Sequence, residues 1–281
     1  MRAIAAISTN TIATCVAGLL AGAALLSVKI ETNDILWLAL FAAGAWVFYV
    51  KQWLTESGSL SAFFTACILY PGGYVMFILP VFLLAGGSLL SKINEDNTEK
   101  GGRNALQVMA NGGVAFFCLV WSYYTHTVTL QVLLEQAFMV SFGVSICDTF
   151  SSEGGKYFKG RTVDIIGFKA MKPGLSGGIS WQGSVAGLLA LCVIMPLSET
   201  LLAEGTGPHP YIIVFGFAGM LADSVFGSVL QAKYKSGKGE LTEEHIPYAM
   251  PVKGYIWCTN DVVNLMSNIV VTGLYLLINA Q

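Results

Sequence analysis

Residues 211–231 read YIIVFGFAGMLADSVFGSVLQ. About 20 apolar residues carry a helix across the hydrocarbon core of a bilayer, and this stretch is apolar on every face, as a membrane helix is and an amphipathic surface helix is not. Its one charged side chain, Asp223, lies about eight residues from the C-terminal end, roughly 12 Å inside at ~1.5 Å per residue. A carboxylate at such depth is costly and marks a candidate functional group. One segment therefore predicts both a membrane span and a polar site inside it.

Further apolar segments lie at 3–28, 34–50, 59–91, 105–124, 129–147, 179–200 and 255–279. The chain of 281 residues is 54% hydrophobic and 11% charged, against about a quarter charged in soluble domains, with a mean hydropathy of +0.64. The expected fold is an all-α polytopic transmembrane bundle of about 7–9 segments with short cytoplasmic loops, forming one integral membrane domain over 1–281. Segment 59–91 would measure about 50 Å as one helix, and Pro71-Gly72-Gly73 divides it. The start of the chain is interrupted by Ser8, Thr9, Asn10 and Thr11 and reads as a retained span rather than a cleaved signal. No transit-type leader is present, which points to a prokaryotic inner membrane.

Lys92, Lys100, Arg103, Lys156, Lys159, Arg161, Lys169, Lys172, Lys233, Lys235, Lys238 and Lys253 fall in loops that alternation places on one side. The positive-inside rule makes that side cytoplasmic. Two crossings by 59–91 would bring Arg2 and Lys51 to the same side; one crossing would not. No basic run with interleaved aromatics suggests nucleic-acid binding. The cysteines (15, 67, 118, 147, 192, 258) stand singly and read as small buried residues. His126, His209 and His245 are isolated and receive no role.

Three carboxylates share the cytoplasmic half: Asp148 in ICDTFSSEGG, Asp223, and Asp261 in CTNDVVNLMSN. Asn104, Gln107 and Asn111 are spaced to share one helical face, and Asn260 and Asn264 stand beside Asp261. Hard oxygen ligands of this kind suit Mg²⁺, which binds through one or two carboxylates plus substrate phosphates. The expected metal ligands are Asp148, Asp223 and Asp261. Residues 148–178 supply the opposite charge: lysines and arginine among glycines, ending in MKPGLSGGISWQG (171–183) at the start of an apolar segment. Glycines let backbone N–H groups approach an anion, and a helix N-terminus favours one. Gly174, Ser176, Gly177 and Gly178 are the expected phosphate cradle, with Lys172, Lys169 and Arg161 as its charges. It is not a Walker loop, since G-x-x-x-x-G-K-[ST] is absent.

GSLSAFFTA (58–66), RNALQVMANGGVA (103–115), DTFSSEGG (148–155), KPGLSGGISWQGSVAGL (172–188), LADSVFGSVLQ (221–231) and NDVVN (260–264) resemble, in order, the motifs of the phytyl phosphate kinase family of integral membrane proteins. The likeness covers about 55–281, leaving 1–54 as less characteristic spans. Leu175-Ser176 stand where the family more often has Thr-Asn. The resemblance implies transfer of a phosphoryl group from a nucleoside triphosphate, CTP first, to a prenyl monophosphate such as phytyl or geranylgeranyl phosphate. Dolichol kinases and CDP-diacylglycerol synthases are similar in layout. Under this reading Asp148, Asp223, Asp261 and Lys172 are catalytic. Asn104, Gln107, Asn111, Ser152, Glu153, Asn260 and Asn264 orient substrate, and membrane lipids are the surroundings, with homo-oligomerisation left open. The alternatives are a cytidylyltransferase acting on a lipid phosphate and a membrane transporter. A prenyltransferase ranks lower, because NDVVN ends in Asn264 where N-D-x-x-D has a carboxylate.

Overall fold

A computed structural model describes residues 8–29, 34–94, 102–196, 210–237, 239–247 and 249–280. Arg2, Lys100, Lys238, His209 and the rest of loop 201–209 lie outside the described residues. The helices are α1 (Thr9–Leu26), α2 (Asp34–Val50), α3 (Glu56–Leu69), α4 (Ile78–Ile93), α5 (Ala105–Tyr124), α6 (Val128–Tyr157), α7 (Trp181–Ile194), α8 (Tyr211–Val229) and α9 (Asn260–Asn279). The protein is an all-α polytopic bundle. Helices α1, α5, α6, α8 and α9, and α4 with the turn before it, are long and apolar enough to cross a membrane.

Contacts at the two ends fix the direction of each helix. At one end the N–H of Leu106 donates to Asn10 Oδ1 at 3.1 Å, the Thr55 N–H donates to the Arg103 carbonyl at 3.0 Å and the Arg103 N–H to the Trp53 carbonyl at 2.9 Å, and Lys92 Nζ donates to the Lys51 carbonyl at 3.4 Å. At the other, Tyr124 donates to the Ala23 carbonyl, Tyr123 to the Ile68 carbonyl at 3.0 Å, and Tyr275 to Gln136 Oε1 at 2.6 Å. The described helices therefore run alternately up and down. Segment 59–91 makes two passes, α3 and α4, separated by short 3₁₀ turns at Tyr70–Gly72 and Tyr74–Phe77. Pro71 has no N–H to continue the α-helical ladder, and Gly73 takes a φ of +85°. Among the described residues, every Lys and Arg except Lys29 lies at the end that carries the long loops.

Helix α6 is the centre of the bundle and continues ten residues past the apolar segment seen in sequence. Asp148, Ser152, Glu153 and Lys156 are consequently helical, and the loop starts at Phe158 rather than at 148. Gly154 and Gly155, read in sequence as loop glycines, are packing positions: a Cβ on Gly154 would meet Ala186 at 2.5 Å, and Gly155 faces Gly183. On α7, Gly187 lies so close to α6 that a Cβ would stand 2.0 Å from Ser151 Oγ. Gly216 does the same for α8 against Gly143. Lipid gives helices no hydrophobic reason to associate, so small residues that permit close backbone approach carry the packing. Of the cysteines, Cys67, Cys118, Cys147 and Cys258 are buried as expected, while Cys15 and Cys192 sit on exposed helix faces.

Two short antiparallel pairs order the loops. β1 (Val163–Asp164) pairs with β2 (Gly178–Ile179), and β3 (Tyr234–Lys235) pairs with β4 (Leu241–Thr242). Gly187→Ala is expected to cost about 1–3 kcal/mol through overpacking, read as a lower melting temperature of the detergent-purified protein. Gly22→Ala, where a Cβ meets nothing within 4 Å, should leave it unchanged or slightly raised.

Candidate functional site

Helix α8 carries Asp223 into the bundle interior, where it is 8% exposed. Its Oδ2 accepts from Ser267 Oγ at 3.1 Å. It also accepts from Asn264 Nδ2 at 2.9 Å, with the Asn264 amide turned so that its nitrogen faces the carboxylate. Both donors sit on α9. Behind them Asn268 Nδ2 donates to Ser145 Oγ and to the Asn264 carbonyl, each at 3.0 Å. Ser141 Oγ donates to Asn268 Oδ1 at 2.8 Å, and Ser145 Oγ to the Asn111 carbonyl at 2.7 Å. This polar seam joins α5, α6, α8 and α9, and buried polar groups need such partners. Ser141, Ser145, Ser267 and Asn268 are indistinct in sequence because single hydroxyls and amides are common in spans.

Asp148, half-buried on α6, lines the same cavity of about 1360 Å³ as Asp223, Asp261, Asn260, Asn264 and Asn111. Asp148 and Asp223 are within electrostatic reach of one another. The expected three-carboxylate metal cluster is not assembled: among the described residues no three His, Cys, Asp or Glu side chains gather closely enough to hold a metal ion. Asp261 lies in the first turn of α9, three residues before Asn264, so the amide rather than the carboxylate reaches Asp223. Asp148 and Asp223 with neighbouring amide oxygens still fit Mg²⁺, which takes one or two protein carboxylates and completes its shell with water and phosphate.

Asn104 and Gln107 form a capping box at the start of α5, each side chain accepting from the other's backbone N–H at 3.0 and 2.9 Å. Gln107 also lines the cavity. Asn104 satisfies a helix end instead of a substrate, as the Asn-x-x-Gln spacing permits. Glu153 accepts from Lys156 Nζ at 3.1 Å and Asn94 Nδ2 at 2.7 Å, tying α4 to α6. Ser152 Oγ donates to the Thr149 carbonyl at 3.0 Å.

The segment 173–180 lines the cavity. Gly174 and Gly177 have φ values of +87° and +85°, and a Cβ on Gly177 would meet the Ser228 backbone at 2.6 Å. The Ser176 N–H donates to Glu243 Oε1 at 2.6 Å and its hydroxyl to Oε2 at 3.0 Å. Gln231 Nε2 donates to the same Oε2 at 2.9 Å, and Lys233 Nζ donates to the Ser176 carbonyl at 2.6 Å. The glycine loop thus receives an anion, and in this structure the anion is the chain's own Glu243. Burial pushes the Glu243 carboxyl above its usual range and holds the Lys233 ammonium below its own. Nothing in the spacing of loop 232–254 announces this pair; the β3–β4 hairpin brings it back.

Lys172 is displaced from its expected role. It pairs at the surface with Glu240 at 3.3 Å, and like Lys169 and Arg161 it is exposed and outside the cavity lining. The cations that line the cavity are Lys156 and Arg103. His245, given no role from sequence, also lines it, edge-on to Tyr234 at 5.5 Å. At the opposite end the cavity is apolar and aromatic, reaching Phe116, Phe77, Phe41 and Trp37.

A family model described as integral membrane protein DUF92 matches residues 38–272, a stretch that contains all six motifs quoted above. Protein VTE6, chloroplastic, of Arabidopsis thaliana is 25% identical over 225 residues, covering 76% of this chain and 62% of its own length. The chain therefore spans less than two thirds of that relative. Protein PGR of the same plant is 24% identical over 249 residues, covering 78% of this chain and 86% of its own. The uncharacterized membrane protein MJ0933 of Methanocaldococcus jannaschii is 25% identical over 202 residues, covering 66% and 77%. No solved structure matches the chain.

Asp164 anchors the glycine loop to α8: its Oδ1 accepts from Ser228 Oγ at 2.6 Å, and Lys253 stands 3.8 Å from Oδ2. The Ser228 hydroxyl is the main cause holding this carboxyl below its usual range. A depressed native pKa adds stability that is present above the unfolded value of about 3.9 and lost as pH falls through the native one. Limited proteolysis of the 158–180 loop should therefore accelerate only as pH falls below about 4. In Ser228→Ala the loop should be cut faster already at neutral pH, and its pH dependence should flatten.

Proposed function

The chain belongs to the integral membrane protein DUF92 family, and on that premise we propose that it is a kinase transferring the γ-phosphoryl group of a nucleoside triphosphate, CTP first, to a prenyl monophosphate. Phytyl and geranylgeranyl phosphate are the substrates to test first. The observation that carries this reading is the continuity of one cavity from a polar end, with Asp148, Asp223, Asn264 and the Gly174–Gly178 loop, to an apolar end walled by α2, α3 and α5. An acceptor with a charged head and a long apolar tail fits that division. The basic residues at the loop-bearing end support, by the positive-inside rule, a polar end facing the cytoplasm of a prokaryotic inner membrane, where nucleotide is available.

An oxygen of the acceptor phosphate attacks the γ-phosphorus. The new P–O bond forms as the bond to the β–γ bridging oxygen breaks, and the nucleoside diphosphate leaves with that electron pair. The acceptor is already ionised, so no general base is required; positioning and charge neutralisation supply the rate. Asp148 and Asp223 would hold Mg²⁺, which when bound neutralises charge on the phosphate oxygens. Asn264 and Asn111 hold the acceptor phosphate against the seam. Ser176, with Lys156 nearby, receives the nucleotide phosphates once Glu243 gives up the serine N–H.

Purified protein is to be incubated with Mg²⁺, a prenyl monophosphate and each of CTP, ATP, GTP and UTP. Prenyl diphosphate and nucleoside diphosphate are the expected products; pyrophosphate with a CDP-lipid would make the protein a cytidylyltransferase. Asp148→Asn and Asp223→Asn should each lower turnover by about 10²–10³, the scale of losing a charge-stabilising group, without changing the elution profile. Full activity in both would overturn the assignment. Lys172→Ala should change the nucleotide KM by less than about twofold, as expected of an exposed ion pair, while Lys233→Ala raises it severalfold.

A further inference from the structure

The apolar half of the cavity is a sleeve that ends in a cluster of aromatic rings. The α2 residues that line it include Trp37, Phe41, Gly44, Ala45 and Phe48, which fall on one helical face over about 16 Å at ~1.5 Å per residue. Its middle is made of small side chains, Gly44 and Ala45 from α2 and Ala62 and Ala66 from α3. Its end is aromatic. The Phe41 ring lies 5.3 Å from Phe77 and 5.9 Å from Tyr70, and Trp37 lies 6.2 Å from Phe41 and 6.3 Å from Tyr70. The Tyr70 hydroxyl is held by Asp34. The Pro71–Gly73 break places Tyr70 and Phe77 on either side of one turn, so the two rings meet Phe41 from the same corner. The charged residues in the lining start from the loop-bearing end, and Arg103 reaches furthest along α4, where its Nη1 donates to the Leu83 carbonyl at 3.3 Å; among the described residues, the aromatic end beyond it holds no charged lining residue.

We propose that this aromatic cluster sets the tail length the protein accepts, with Phe41 and Phe77 as the floor and Gly44 as the position that keeps the sleeve open. The inference rests on the reading of the acceptor as a prenyl monophosphate whose head lies at Asp148 and Asp223. A tail that stops short of Phe41 buries all its methylenes, whereas a longer one must displace a packed ring. Trimming the floor lengthens the accepted tail; filling the sleeve at Gly44, where a Cβ meets nothing within 4 Å, shortens it.

The test is equilibrium binding of radiolabelled geranyl, farnesyl and geranylgeranyl monophosphate to the detergent-purified full chain without nucleotide. In Phe41→Ala the affinity ratio of geranylgeranyl to farnesyl monophosphate should rise about tenfold, the scale of burying one or two further methylenes. Phe77→Ala should shift it in the same direction. Gly44→Phe should lose geranylgeranyl monophosphate by at least about tenfold and keep the geranyl compound. Melting temperature serves as the folding control, and Phe41→Ala carries the test if Gly44→Phe does not fold. Ratios equal to those of the native protein in the folded variants overturn the proposal, as does failure of the native protein to bind any of the three. Shifted binding without phosphoryl transfer would sink the kinase reading alone, and transfer with unshifted ratios would sink the tail inference alone.

Discussion

A carboxylate cannot be buried among apolar helices without donors, and Asp223 is the place where this bundle meets that requirement. Ser267 and Asn264 supply the hydrogen bonds, and in doing so they fix the register of α9 against α8. Asn268, one turn further along α9, fixes it against α6 through Ser141 and Ser145. Ser145 in turn reaches α5 at the Asn111 carbonyl. One buried carboxyl group thereby orders four helices around the cavity. Each link also gives a seam side chain a partner in a low-dielectric interior.

The glycines serve two separate purposes. Gly154, Gly187 and Gly216 remove side chains so that α6, α7 and α8 can approach closely, which sets the distance between Asp148 on α6 and Asp223 on α8. Gly174 and Gly177 instead supply positive φ in the loop that presents Ser176. The close packing makes a rigid wall, and the loop makes an adaptable one. That the loop holds Glu243 here means its N–H and hydroxyl are already shaped for an anion. Any phosphate that enters competes with a carboxylate for the same hydrogen bonds.

Much of the architecture is legible in the residues. Apolar runs located the helices, Pro71-Gly72-Gly73 located the break, and the depth of Asp223 in its span pointed to the cavity. Asn264 was legible because it follows Asp261 by nearly one helical turn. Asn104 caps a helix and lies outside the cavity lining while Gln107 both caps and lines it, because an Asn-x-x-Gln spacing serves a helix start as readily as a ligand face. Lys172 was misread because proximity in sequence to the glycine loop is not proximity in space; it turns outward to Glu240. Glu243 and Lys233 were invisible, lying about 60 residues from Ser176 in a loop without periodicity.

By itself the sequence determined what hydrophobicity and local backbone chemistry decide: a membrane bundle, its breaks, the end that collects its basic residues, and the fact that Asp223 must find partners. Only the tertiary structure decided which partners those are. Span order does not fix helix rotation or crossing, and these choose whether a side chain meets a neighbour, the cavity or lipid. For that reason Asp148, Asp223, Asp261 and Asn264 line one cavity without the three carboxylates gathering, while the anion held at Ser176 and the aromatic end of the sleeve emerged only when the helices were packed.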